Sequence, residues 1–137
     1  MMVVVDASTL IAVTCDDGPE GAWAEAVLET SDLVAPHLVF AEAANVLRRL
    51  EKCKLLTRLE ATVAHEDLME LDIELLPYEP FSDRAWELRA NLTSYDAWYV
   101  AVAETTGLPL ATLDHRLARA SGPECRFMTP GSDGARR

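Results

Sequence analysis

Short apolar runs alternate with longer amphipathic stretches along this chain, and several of the apolar runs end at an acid. Residues 2–6, MVVVD, form a β-branched run that predicts a buried strand closing on Asp6. A helix is expected from Ser8 through Val13, and Gly18-Pro19 breaks the chain before another over 20–29. Leu33–Ala35 predicts a brief strand stopped by Pro36. Residues 37–52 carry the clearest helical period. Val39, Phe40, Ala43, Val46, Leu47 and Leu50 make an apolar stripe, while Glu42, Asn45 and Arg49 line another face. A further helix is expected over 57–70.

The second half repeats the alternation. Ile73–Pro77 predicts a strand, and Phe81, Ala85, Leu88 and Leu92 mark a helix with Ser82 as its N-cap. Ser94 is expected to cap the next helix, whose stretch AWYVAVA over 97–103 is apolar all round and therefore buried. Gly107 and Pro109 end that helix, Leu110–Leu113 forms a strand delivering Asp114, and a short helix follows to about residue 120. Arg126–Met128 supplies a last strand. Strands alternating with helices imply a parallel sheet covered on both faces. Residues 1–130 are expected to form a single domain, and 131–137, GSDGARR, a flexible tail.

Composition narrows the functional classes. Half of the residues are hydrophobic, which argues against a disordered chain. The net charge of −11 argues against a broad nucleic-acid footprint. The charge is uneven, however: residues 1–47 hold no Lys or Arg, whereas Arg48, Arg49, Lys52, Lys54 and Arg58 cluster together. That cluster reads first as a solvated helix face and second as a local edge able to meet phosphate. Cys15, Cys53 and Cys125 make no C-x-x-C pair and fit reduced cytoplasmic thiols. The start MMVVVDAS is no signal peptide, and no charge-free apolar run is long enough to span a bilayer.

The candidate chemistry lies in four carboxylates, Asp6, Glu42, Asp96 and Asp114, embedded in VVVDAS, LVFAEAANVL, YDAWYVAVA and LATLD. Burying an uncompensated charge is expensive. Two carboxylates about 4 Å apart repel by roughly 4 kcal/mol at an effective dielectric of about 20. A divalent cation would neutralise such a group, and oxygen-only ligation suits Mg²⁺ or Mn²⁺ rather than zinc. Taken singly, Asp6 could merely end a strand, Asp96 and Asp114 could merely begin helices, and Glu42 could face water. Four acids at such boundaries in one α/β chain point to a site, because ligands of open sheets bind at the carboxyl ends of strands.

Ser8 and Thr112, each two residues from an acid, could meet a water or phosphate or simply cap turns, and capping suits Thr112 better. Asn45, one turn from Glu42, could bond that carboxylate or face solvent. His37, His65 and His115 have no metal-ligand spacing, and Trp23, Trp86 and Trp98 read as core or interface. Other metal-binding and nucleotide-binding classes fit poorly. Leu10 removes the last hydroxyl of an adhesion-type D-x-S-x-S, Ser8 stands where a haloacid-dehalogenase-like phosphatase needs a second Asp, and the first strand-to-helix turn has no glycine for a dinucleotide.

Four segments in order, VVVDASTLIAV, FAEAANVLRRL, LTSYDAWYVAVAE and LATLDHRLARA, resemble a PIN domain of the VapC type, a toxin of prokaryotic toxin–antitoxin pairs. The resemblance spans nearly the whole domain. It implies an α/β/α sandwich around a central parallel sheet of about five strands. It also implies a Mg²⁺- or Mn²⁺-dependent endoribonuclease acting on structured RNA, such as transfer RNA or ribosomal RNA loops. The family's four acidic positions fall on Asp6, Glu42, Asp96 and Asp114, its hydroxyl residue on Ser8, and its polar residue beside the last acid on Thr112. Asn45 accompanies Glu42 as in many relatives. Arg49, Arg89 and Arg116 are the candidates for phosphate contacts. The resemblance further implies cleavage to a 5′-phosphate and a 3′-hydroxyl, a homodimer, and inhibition by a small VapB-like antitoxin whose basic side chain pairs with the carboxylates. The competing reading is a PIN domain without RNase activity, serving as a binding module or acting on DNA.

Overall fold

The computed structural model describes residues 1–131; apart from Gly131, the expected tail lies outside the described residues. Five strands form one sheet: β1 (Met2–Val5), β2 (Asp32–Pro36), β3 (Ile73–Leu76), β4 (Leu110–Ala111) and β5 (Phe127–Met128). Their order is β3-β2-β1-β4-β5, and every pairing is parallel. The central place of β1 agrees with its sequence. A run such as Val3-Val4-Val5, with no exposed surface on any residue, fits only a strand covered on both faces. Burying each such side chain contributes about 1.5–3 kcal/mol, so this central strand anchors the sheet.

Helices α1 (Ala7–Cys15), α2 (Pro19–Thr30), α3 (Val39–Lys52) and α4 (Arg58–Met69) link the strands that run outward from β1 to β3, and they pack against one another. Right-handed crossovers place them together on one face. The chain then returns through α5 (Ser82–Glu87) and α6 (Ser94–Thr106), and α6 lies against β1, β2 and β4 from the opposite face. A short α7 (His115–Ala118) joins β4 to β5. Three layers, helix on sheet on helix, result.

The direction of travel reverses between β1 and β4, which are neighbours. This reversal opens a crevice beyond their carboxyl ends, where ligands of such sheets bind. Asp6 leaves β1, and Thr112, Leu113 and Asp114 leave β4, at that point.

Several local expectations are corrected. Ser82 is not an N-cap: a 3-10 turn over Glu79–Phe81 runs directly into α5, and the Ser82 hydroxyl donates back to the Glu79 carbonyl at 2.9 Å. That helix stops at Glu87 rather than continuing to Leu92. Thr93, not Ser94, caps α6, with its extended backbone and an oxygen accepting from the Asp96 N–H. The β4 strand is shorter than 110–113. Thr112 keeps one sheet bond, N–H to Met128 O at 3.0 Å, before the chain turns to let Asp114 cap α7. Among the described residues no helix is long and apolar enough to cross a membrane.

Across α5, α6 and the loop before β5, Arg84 forms a clamp. It meets Glu104 through Nε at 2.6 Å and Nη2 at 3.3 Å, and donates to Gly122 O at 3.0 Å. Glu104 in turn accepts the Glu124 N–H at 2.6 Å.

Candidate active site

Asp6 is nearly buried, at 8% exposure, and is the most heavily bonded of the four acids. It serves as the N-cap of α1, with Oδ1 accepting the Thr9 N–H at 3.2 Å, as extended backbone before a helix allows. The Ser8 hydroxyl donates to the same oxygen at 2.6 Å, and the Thr112 hydroxyl donates to Oδ2. Both hydroxyls are themselves held by the β4–α7 connection: Ser8 Oγ accepts the Leu113 N–H at 3.0 Å, and Thr112 Oγ1 accepts the Asp114 N–H at 2.9 Å. Thr9 completes the link by donating to Ala111 O at 3.0 Å. The end of β1 and the end of β4 are thus tied together through one carboxylate. Asp114 caps α7, its Oδ1 accepting the Leu117 N–H at 3.1 Å.

Glu42 lies in the first turn of α3 and Asp96 in the first turn of α6, both half-buried, where a helix dipole favours an anion. Tyr99, on α6, donates its phenolic hydrogen to Glu42 Oε1 at 2.5 Å.

The electrostatics couple all four acids. Burial pushes the Asp6 carboxyl above the usual carboxylate range; hydrogen bonds from Ser8, Thr112 and Thr9 oppose the shift, and the Asp114 charge adds to it. Burial likewise raises Glu42, against the Tyr99 bond, and the charges of Asp96 and Asp6 push it further. Asp96 is raised by burial and by Asp114, while Arg116 and Thr93 pull it down. Repulsion therefore runs from Asp6 to Glu42 to Asp96 to Asp114 and back to Asp6. Among the described residues none of the four makes a salt bridge; the ion pairs there join Arg84 to Glu87 and to Glu104.

This donor set has the oxygen chemistry of a Mg²⁺ or Mn²⁺ site, and its unneutralised charge fits a cation. As placed, no three Asp, Glu, His or Cys side chains among the described residues are grouped closely enough to hold one ion. The fit is therefore in charge and donor type. It suits a cation that keeps much of its water and takes few carboxylates directly, as Mg²⁺ does.

The supporting residues divide. Ser8 and Thr112 both donate hydrogen bonds to the Asp6 carboxylate. Asn45 is not Glu42's partner: it is exposed, and its Oδ1 accepts from Arg48 Nε at 3.1 Å. Arg116 and Asp96 line a shared cleft of about 220 Å³ with Asn91, Thr93 and Leu117. Arg89 is stacked on Trp86 at 4.4 Å from the ring centre and donates to Trp86 O at 2.8 Å. Arg49 is exposed on α3, two turns beyond Glu42.

Three groups escaped the sequence reading. Tyr99 sits in an all-apolar helix segment and looks like core, which by exposure it is, at 2%. Thr9 and Thr93 gave no signal beyond the capping preference of hydroxyl residues.

Residues 3–123 match the PIN domain family. The VapC ribonuclease Mb0985 of Mycobacterium bovis is 37% identical over 124 residues, covering 90% of this chain and 94% of that protein. Ribonuclease VapC1 of Mycobacterium tuberculosis is 36% identical, again over 90% of this chain and 94% of the relative. Among solved structures, PAE2754 of Pyrobaculum aerophilum superposes with a TM-score of 0.68 at 25% identity, covering 93% of this chain and 83% of that one. The chain belongs to the PIN-domain family, among the VapC ribonucleases.

Proposed function

We propose that the protein is a metal-dependent endoribonuclease toxin held in check by a cognate VapB-type antitoxin. The observation that carries this reading is the mutual repulsion among Asp6, Glu42, Asp96 and Asp114 at the sheet's switch point, none of them in a salt bridge among the described residues and only Asp96 eased by a nearby cation, Arg116. The curated relatives named as VapC ribonucleases support the reaction class.

Asp6, Asp96 and Asp114 would hold Mg²⁺, or Mn²⁺ in its place, with Glu42 completing the acidic pocket. When bound, such an ion lowers the pKa of coordinated water and offsets charge on a phosphodiester. The chain's own residues supply the rest. Ser8 and Thr112 aim both oxygens of Asp6, and the α6 amino terminus favours the charged form of Asp96. Arg116, in the cleft beside Asp96, meets a phosphate flanking the scissile bond, while Arg49 and Arg89 contact the RNA backbone farther out. Hydrolysis adds water across the P–O3′ bond, leaving a 5′-phosphate and a 3′-hydroxyl.

With so acidic a surface, affinity for RNA in general is weak, and selectivity comes from the shape of a structured substrate such as a transfer RNA or a ribosomal RNA loop. The reading places the protein in the cytoplasm as a homodimer that joins its antitoxin in a larger assembly. Purified protein incubated with total RNA should release discrete fragments with Mg²⁺ or Mn²⁺ and none with EDTA. Cleavage unchanged by EDTA would refute it.

A further inference from the structure

The Tyr99 hydroxyl is the one hydrogen-bond donor to Glu42's carboxylate among the described residues, and it arrives from a different helix, 57 positions away. Its ring is 2% exposed and cannot swing aside without opening the core between α6 and the sheet. Asp96 and Tyr99, three residues apart, share one face of α6. That face therefore presents two things to the crevice: a carboxylate of its own and a fixed donor directed at the carboxylate of α3. The phenol takes one acceptor position on Oε1, leaving Oε2 wholly free for the site.

A free glutamate has three rotatable bonds, and repulsion from Asp6 and Asp96 would drive this one outward to water. A rigid donor opposes that escape. We propose that Tyr99 is a positioning residue, holding Glu42 turned into the acidic pocket so that a divalent cation entering there meets this carboxylate already in place. The inference rests on the metal-dependent nuclease reading and adds to it a residue outside the four acids. Partners that orient a ligand in this way alter metal affinity or activity by about 10–100-fold when removed.

Tyr99→Phe keeps the ring and removes the donor. Mn²⁺ affinity, measured on RNA-free protein by calorimetry or electron paramagnetic resonance, should fall by about 10-fold, and kcat for RNA cleavage by about 10–100-fold with KM for RNA unchanged. In a Glu42→Gln background, Tyr99→Phe should add little, because the phenol acts through that carboxylate. Glu42→Asp, which keeps the charge but withdraws it from the phenol, should reproduce the loss and serves as an independent arm should Tyr99→Phe fold poorly. Wild-type Mn²⁺ affinity in either Tyr99→Phe or Glu42→Asp would overturn the inference, as would an undiminished effect of Tyr99→Phe in the Glu42→Gln protein. Wild-type protein that neither binds Mn²⁺ nor cleaves RNA would refute the nuclease reading itself, and this inference with it.

Discussion

Thr112 and Asp6, 106 positions apart in sequence, are joined by a hydrogen bond in which the threonine hydroxyl donates to the aspartate. The same hydroxyl accepts the Asp114 N–H, so one small side chain orients two of the four acids. Thr112→Val preserves shape and deletes both bonds. It leaves the Asp114 N–H and one Asp6 oxygen short of a partner, at an expected cost of about 1–3 kcal/mol. Urea denaturation should show this loss, with cleavage activity falling in parallel. A variant of unchanged stability would contradict the assigned bonds.

The raised pKa of Asp6 gives stability a definite pH dependence. Its folded carboxyl holds a proton more tightly than the unfolded one, so folding favours the protonated form. The stabilising contribution is present below the unfolded value of about 3.9 and is lost as pH rises through the higher folded value. Asp6→Asn cannot ionise. In EDTA the two proteins should be similarly stable in acid, and the variant should become the more stable of the two as neutrality is approached. Wild-type protein equal to or above the variant at neutral pH would show that Asp6 is not under this strain. Glu42 and Asp96 shift in the same direction and should behave alike when neutralised.

Gly21 marks a close approach that concerns folding and not chemistry. A Cβ there would lie 1.8 Å from the Asp16 carbonyl oxygen and 3.1 Å from that of Ala12, where α2 meets the end of α1. Both neighbours are backbone and cannot rotate away. Gly21→Ala should cost about 1–3 kcal/mol or more as the two helices are forced apart. Calorimetric unfolding with a midpoint like that of the wild type would contradict the packing.

How much of this was legible in the sequence depends on the kind of signal. Val3–Val5 and the 97–103 stretch announce themselves, because hydrophobic runs of those lengths have few places to go. Asp6, Asp96 and Asp114 stand out because each is an acid at the border of an apolar run. Helical spacing leaves Asn45 two equal readings, a bond to Glu42 or an exposed amide, and the structure shows the second, with the amide bonded to Arg48. Tyr99 was hidden for the opposite reason, since a buried aromatic in an apolar helix gives no sign that its hydroxyl crosses to another helix. The caps at Ser82 and Ser94 were misplaced because hydroxyl residues near a helix start compete, and backbone dihedrals decide which one caps. Pairings between distant segments, such as Thr9 with Ala111, depend on the strand order β1-β4, which local pattern does not encode.

The most direct test of a cation-requiring acidic centre is anomalous diffraction from crystals grown with excess Mn²⁺, on wild-type and Asp6→Asn protein. The account predicts a manganese peak in the wild type among Asp6, Asp96 and Asp114, with Glu42 alongside, and its loss in the variant. A well-ordered wild-type crystal with those side chains apart and no peak between them would contradict it.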